Sequence, residues 1–133
     1  MFNPSRLSLA RKRRGVNKIR LSKSTGLSLR SISAYENGEK VPSDETVEKI
    51  AVALSFPAEF FSGVDVEVPD PTTASFRSMA RMSAAQRDAA LGAGGLSFLL
   101  YDWMEAQFEL PKTDLLDLRE EETEAAAMAL RQH

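Results

Sequence analysis

Residues 17–38 read NKIRLSKSTGLSLRSISAYENG, and the order of residue types in this stretch decides the local fold. Asn17 is a helix-capping residue, and a short helix is expected from Lys18 to Thr25 with Ile19 and Leu21 facing inward. Gly26 follows, a residue that takes a positive φ at no steric cost, so a tight turn is expected there. Ser28 caps a further short helix, Leu29 to Asn37, with Ile32 and Tyr35 three apart on one face and Gly38 closing it. The spacing therefore predicts two short helices joined by a turn, the second polar on its outer face.

The flanks extend this helical pattern. Upstream, Pro4 to Arg14 places Leu7 and Ala10 on one face, with proline acceptable at the start and Gly15 as the stop. Downstream, Ser43 precedes Asp44 and Glu45, acids that suit the positive end of a helix dipole, and then Val47, Ile50, Ala51 and Leu54 at helical spacing. Pro57 to Phe61 makes a last short helix ended by Gly63. The expected core residues are Ile19, Leu21, Leu27, Ile32, Val47, Ile50, Leu54 and Phe60. Residues 64–71 are acidic and contain proline, with Val64, Val66 and Val68 alternating, so they read as a linker or short edge strand. Ser83 and Gln86 form a capping-box pair, so a helix is expected from Ala84 to about Phe108, with Pro111 ending it. Gly92, Gly94 and Gly95 disfavour a helix interior, so a kink or a close backbone contact is expected there. A final helix is expected over Glu121 to Gln132. The fold class is mostly α: a five-helix domain at 1–63, a linker at 64–71, and a small, mainly helical domain at 72–133.

Composition removes most chemistry. The 133 residues contain no cysteine and one histidine, His133, which excludes disulfides, thiolate metal sites, histidine-based triads and paired histidine metal ligands. No apolar run approaches the roughly 18 residues of a membrane span, and no apolar signal core follows the basic start. GAGG at 92–95 lacks the spacing of a dinucleotide loop and follows no clear strand. No enzyme activity, cofactor, metal or small-molecule substrate is expected. The net charge of −2 conceals an asymmetry. Residues 1–40 carry ten Lys/Arg against two acids, a net +8, while residues 41–133 carry seven against seventeen, a net −10. One end of the chain should be drawn to a polyanion and the other should not.

Arg11, Asn17, Gly26, Ser28, Ile32, Ser33, Tyr35-Glu36, Gly38 and Pro42-Ser43 resemble the Cro and lambda-repressor (XRE) type of helix-turn-helix domain, over about residues 4–62 without gaps. Thr25, where an apolar residue is usual, and Ser22, where alanine is usual, depart from that pattern and are expected to loosen the packing between the two helices. The rest of the chain resembles the connector of regulators that pair such a domain with an ImmA/IrrE-type metallopeptidase, whose HExxH helix this sequence lacks. It also resembles the short immunity repressors of temperate phages of actinobacteria.

That resemblance implies a lambda-repressor-like fold whose third helix lies in the major groove of double-stranded operator DNA. It places Ser28, Leu29, Arg30, Ser33 and Ala34 at base edges, with Arg30 able to make a bidentate pair with guanine. Asn17, Lys18 and Asn37 fall where phosphates are contacted, with Lys23 and Lys40 as additional phosphate contacts. Arg11 and Glu36 would form an internal ion pair. Arg13 and Arg14 read equally well as free surface charge. Arg77, Arg81 and Arg87 give residues 72–92 a net +2 and are a candidate second DNA patch or ordinary surface arginines. Leu96 to Met104 is apolar almost all round, so it is core or a subunit interface. The expectation is a cytoplasmic repressor, on the bacterial nucleoid or phage DNA, that occludes a promoter. A monomer with two DNA-contacting regions is favoured over a homodimer. The rival is an antitoxin-like autoregulator whose acidic second half binds a partner protein.

Overall fold

The computed structural model describes residues 1–70, 82–110, 124, 125, 127 and 128. Helices α1 (Pro4–Arg13), α2 (Lys18–Thr25), α3 (Leu29–Glu36) and α4 (Asp44–Leu54) are followed by a short 3-10 helix, Ala58–Ser62, and the long α5 (Ala84–Gln107). The first four helices start on a side-chain cap: Asn3, Asn17, Ser28 and Ser43 each accept a hydrogen bond from a first-turn amide. Such caps satisfy donors that have no partner inside the helix.

The core is assembled from one apolar stripe per helix. Leu7 and Ala10 of α1, Leu21 of α2, Ile32 of α3, and Ile50, Ala51 and Leu54 of α4 close around Phe61. One expected core residue is placed differently, and a neighbour of another is the more deeply buried. Ile19 is 54% exposed on α2, where Leu21 is the residue turned to the centre. Phe61, not Phe60, is the fully buried aromatic; Phe60 packs edge-on against it and under the Arg6 guanidinium, 4.8 Å from Cζ to ring centre.

The chain beyond residue 63 stays attached to α1. Asn3 Nδ2 donates to Gly63 O and to Asp65 Oδ1, both at 2.9 Å, Ser5 Oγ donates to Asp65 Oδ1 at 2.6 Å, and buried Arg6 donates from Nε to Val64 O at 2.6 Å. The short strand expected at Val64–Val68 is not formed, and there is no strand among the described residues. A single extended segment has no neighbour with which to form a ladder, and this one lies against a helix instead. At Gly95 of α5, a Cβ would sit 2.9 Å from Glu67 O and 3.1 Å from Val66 Cγ1. At Gly94 it would sit 2.7 Å from Pro69 Cγ, and at Gly92 3.3 Å from both Leu9 Cδ1 and Arg13 Cβ of α1. The glycines thus mark a close approach, and α5 runs through them unbroken from Ala84 to Gln107. Its capping box is made: Gln86 N–H donates to Ser83 Oγ, and Ser83 N–H donates to Gln86 Oε1.

Residues 1–103 make one compact unit and 104–133 a second. In Leu96–Met104, Phe98, Leu100, Tyr101 and Trp103 are exposed while Leu96, Leu99 and Met104 are half-buried, so the segment is not a closed core. Of the final helix expected at 121–132, only residues 124, 125, 127 and 128 are described, and they are helical. Among the described residues no helix is long and apolar enough to cross a membrane.

Candidate nucleic-acid interface

The turn between α2 and α3 is built from hydroxyls and one glycine. Gly26 closes α2 at φ +72°, and its N–H donates to Ser22 O. Ser22 Oγ donates to Leu27 O at 2.6 Å. Thr25 Oγ1 donates to Leu21 O at 2.7 Å and accepts the Leu27 N–H at 3.3 Å. The two residues expected to loosen the α2–α3 packing therefore clasp the turn: each hydroxyl pairs a backbone group that the chain reversal leaves open.

Position in the helix then sorts the side chains of α3. Ser28 caps it, its Oγ accepting from Ser31 N–H at 3.0 Å. Leu29 and Arg30 project from the first turn into solvent, and Arg30 makes no hydrogen bond or ion pair with the described residues. Ser33, half-buried, lies on the same face one turn on, since residues three and four apart are neighbours on a helix. Asn37 is exposed just past the end, where its Nδ2 donates to Glu39 Oε1 at 2.9 Å. Ala34, one turn on from Arg30, is 6% exposed. The chain folds back over it, with the Glu39 and Lys40 amides both donating to its carbonyl at 2.9 and 3.2 Å.

Behind this face an ionic cluster joins α1, α2 and α3. Arg11 donates from Nε to Glu36 Oε1 at 2.6 Å and from Nη2 to Oε2 at 3.2 Å, while its Nη1 donates to Val16 O at 3.0 Å. The pair is largely buried, with side chains 13% and 6% exposed. Lys18 reaches the same carboxylate, Nζ to Oε2 at 3.2 Å, and donates to Ser33 Oγ at 3.2 Å. Lys18 is thus engaged inside the protein, with its side chain 35% exposed. The other residues expected at phosphates, Asn17, Lys23, Asn37 and Lys40, are exposed at the ends of α2 and α3 or just beyond.

Two basic residues have structural posts that helical spacing does not reveal. Arg14 donates from Nε to Leu54 O at 2.8 Å and from Nη2 to Ser55 O at 2.6 Å, with its guanidinium over the Phe56 ring. It satisfies carbonyls at the end of α4, where Ser55 adopts a left-handed φ of +54°. Arg6 serves the segment after Gly63. Burial lowers the Arg6 pKa from its ordinary value, opposed by the nearby Asp65 carboxylate. The exposed cations left in this region are Lys12, Arg13, Arg20, Lys23, Arg30 and Lys40.

Of the second patch, Arg77 and Arg81 lie outside the described residues. Arg87 is half-buried in the first turn of α5, with Nε buried and without a hydrogen-bond partner among the described residues.

Residues 7–61 match a family model described as helix-turn-helix. No curated protein and no solved structure gives a match. The matched span runs from Leu7 to Phe61, the first and last members of the buried apolar cluster, so it coincides with the helical core just described. Residues 7–61 are thus similar to helix-turn-helix domains of the Cro and lambda-repressor (XRE) type, and this match supports DNA binding by that part of the chain.

Proposed function

We propose that the protein is a sequence-specific repressor that occupies an operator with α3 in the major groove and blocks access to a promoter. The observation that carries this reading is the outer face of α3, where Leu29 and Arg30 stand free in the first turn beside the exposed Ser28 cap. Arg30 is the side chain suited to guanine, through bidentate bonds to O6 and N7 worth about 1–3 kcal/mol of discrimination. Leu29 offers apolar contact to a thymine methyl, and Ser28 and Ser33 offer hydroxyls. Asn17, Lys23, Asn37 and Lys40 bind phosphates and set the register. Ala34, being buried, is assigned to packing instead.

The finer identity follows the resemblance of the whole chain to short phage immunity repressors, and it places the protein in the bacterial cytoplasm, on the nucleoid or on phage DNA. The region around Arg77, Arg81 and Arg87 would contact DNA beside the α3 site in a monomeric complex, a role supported by the net +2 of residues 72–92. Charge reversal at Arg77 and Arg81 should then lower DNA affinity; unchanged affinity would return these residues to ordinary surface charge.

A nuclease footprint on the DNA upstream of the protein's own gene, at near-physiological salt, tests the repressor reading. A discrete protected site is expected, palindromic for a dimer and longer and lopsided for a monomer. Absence of protection at concentrations that saturate specific binders would remove it.

A further inference from the structure

Lys18 occupies an unusual post for a residue expected at the DNA backbone. Its ammonium lies between two oxygens of α3, Ser33 Oγ and Glu36 Oε2, each at 3.2 Å. Glu36 is held in turn by Nε and Nη2 of Arg11, so the anchor for Lys18 is fixed from the far side. An ammonium carries protons and no lone pair, so in the Lys18–Ser33 contact Ser33 Oγ must accept. The hydroxyl proton of Ser33 is then unused, since Ser33 Oγ donates no hydrogen bond to the described residues. Other hydroxyls of the chain behave differently: Thr25 and Ser97 each donate to the carbonyl four residues earlier. Ser33 lies on the face of α3 that carries Leu29 and Arg30.

We infer that Lys18 is a positioning residue for base reading, one that biases the Ser33 hydroxyl towards donating outward so that Ser33 favours a hydrogen-bond acceptor in the major groove. The inference rests on the proposed seating of α3 on DNA. A free serine donates or accepts and discriminates poorly among bases. A serine that already accepts from a cation keeps its proton and one lone pair, and the charge behind it strengthens donation and weakens further acceptance. Arg30 also only donates. The reading face of α3 therefore matches acceptor atoms, N7 of either purine, O6 of guanine or O4 of thymine, and disfavours the amino groups of cytosine N4 and adenine N6 at the base that Ser33 meets.

The test uses the full-length protein and fragments carrying the footprinted site, with every base pair of the site replaced in turn. Binding is measured for the wild type, Ser33→Ala, Lys18→Met, Lys18→Arg and the double variant Lys18→Met/Ser33→Ala. Ser33→Ala should flatten the preference at one base pair by roughly three- to tenfold, the range of a single hydrogen bond. Lys18→Met should flatten the preference at that same base pair, and the double variant should add nothing further there. Lys18→Arg, which retains charge and donor, should restore it. Glu36 keeps its Arg11 partner in all four variants, and Ser33→Ala introduces a good helix former, so folding is retained. A Lys18→Met loss that is uniform over all fragments, with preference at the Ser33 base pair intact, would make Lys18 a phosphate contact only and overturn the inference. So would a Ser33→Ala variant with the wild-type preference profile. A wild type that protects no discrete site would instead remove the reading on which the inference depends.

Discussion

Arg11 and Glu36 are 25 residues apart in sequence and meet as a two-bonded, largely buried pair that ties α1 to the end of α3. Removing one partner of a buried pair leaves the other charge poorly compensated, at a cost of about 3–5 kcal/mol. Here Lys18 still pairs with Glu36, so Arg11→Ala should cost about 3 kcal/mol, the lower end of that range. Urea denaturation measures it; a loss under about 1 kcal/mol would mark the pair as no better than a surface bridge. Asp65 supplies a second residue-level test. Ser5 and then Asn3 donate to its carboxylate and hold its pKa below the ordinary value, with Arg6 contributing from a distance. A depressed pKa in the fold means that this stabilisation is present above the unfolded-state pKa and is lost as pH falls through the folded-state value. Between about pH 6 and about pH 3 the wild type should therefore lose more stability than Asp65→Asn, compared by denaturation midpoints. Equal losses would show that the three hydrogen-bonding groups do not interact in solution.

At the scale of elements, the helices were legible wherever a local signal marked their ends. The caps Asn17, Ser28 and Ser43, the turn at Gly26 and the Ser83/Gln86 box all work through atoms within a few residues, so spacing alone reveals them. Ile19 was misplaced because in an eight-residue helix several positions fit an inward stripe, and only tertiary packing chooses among them. Ser22 and Thr25 were misjudged for a related reason: their value lies in backbone groups across the turn, which residue type does not announce. The α5 glycines give a prediction of opposite sign to helix propensity. Gly→Ala inside a helix favours folding by about 1 kcal/mol, yet a Cβ at Gly95 would press on the Glu67 carbonyl, a backbone atom, at 2.9 Å. Gly95→Ala should therefore lower the thermal midpoint and loosen residues 66–68 from α5, read by hydrogen exchange at those amides. A raised midpoint would mean that the segment is not held against the helix.

For the whole molecule, the charge asymmetry was legible as +8 against −10, but the division of labour among the basic residues was not. Arg6, Arg11 and Arg14 are spent on carbonyls and a carboxylate up to 58 residues away, and Lys18 is engaged behind α3. Nothing in a linear count distinguishes them from Lys23, Arg30 and Lys40, which remain at the surface. The exposed set is the one expected to displace counterions, so affinity for DNA should fall steeply as salt rises from about 50 to about 200 mM. Lys23→Ala and Lys40→Ala should each reduce the slope of that dependence by about one while leaving sequence preference unchanged. The central claim, that α3 reads bases and the surrounding cations only position it, is tested most directly by a paired titration. Wild type and Arg30→Ala are each titrated, at near-physiological salt, on the protected fragment and on a scrambled fragment of equal length. The account predicts that Arg30→Ala loses about 1–3 kcal/mol on the protected fragment and almost nothing on the scrambled one. Equal losses on both fragments would contradict it, reducing Arg30 to one more phosphate contact and α3 to a helix that does not read sequence through it.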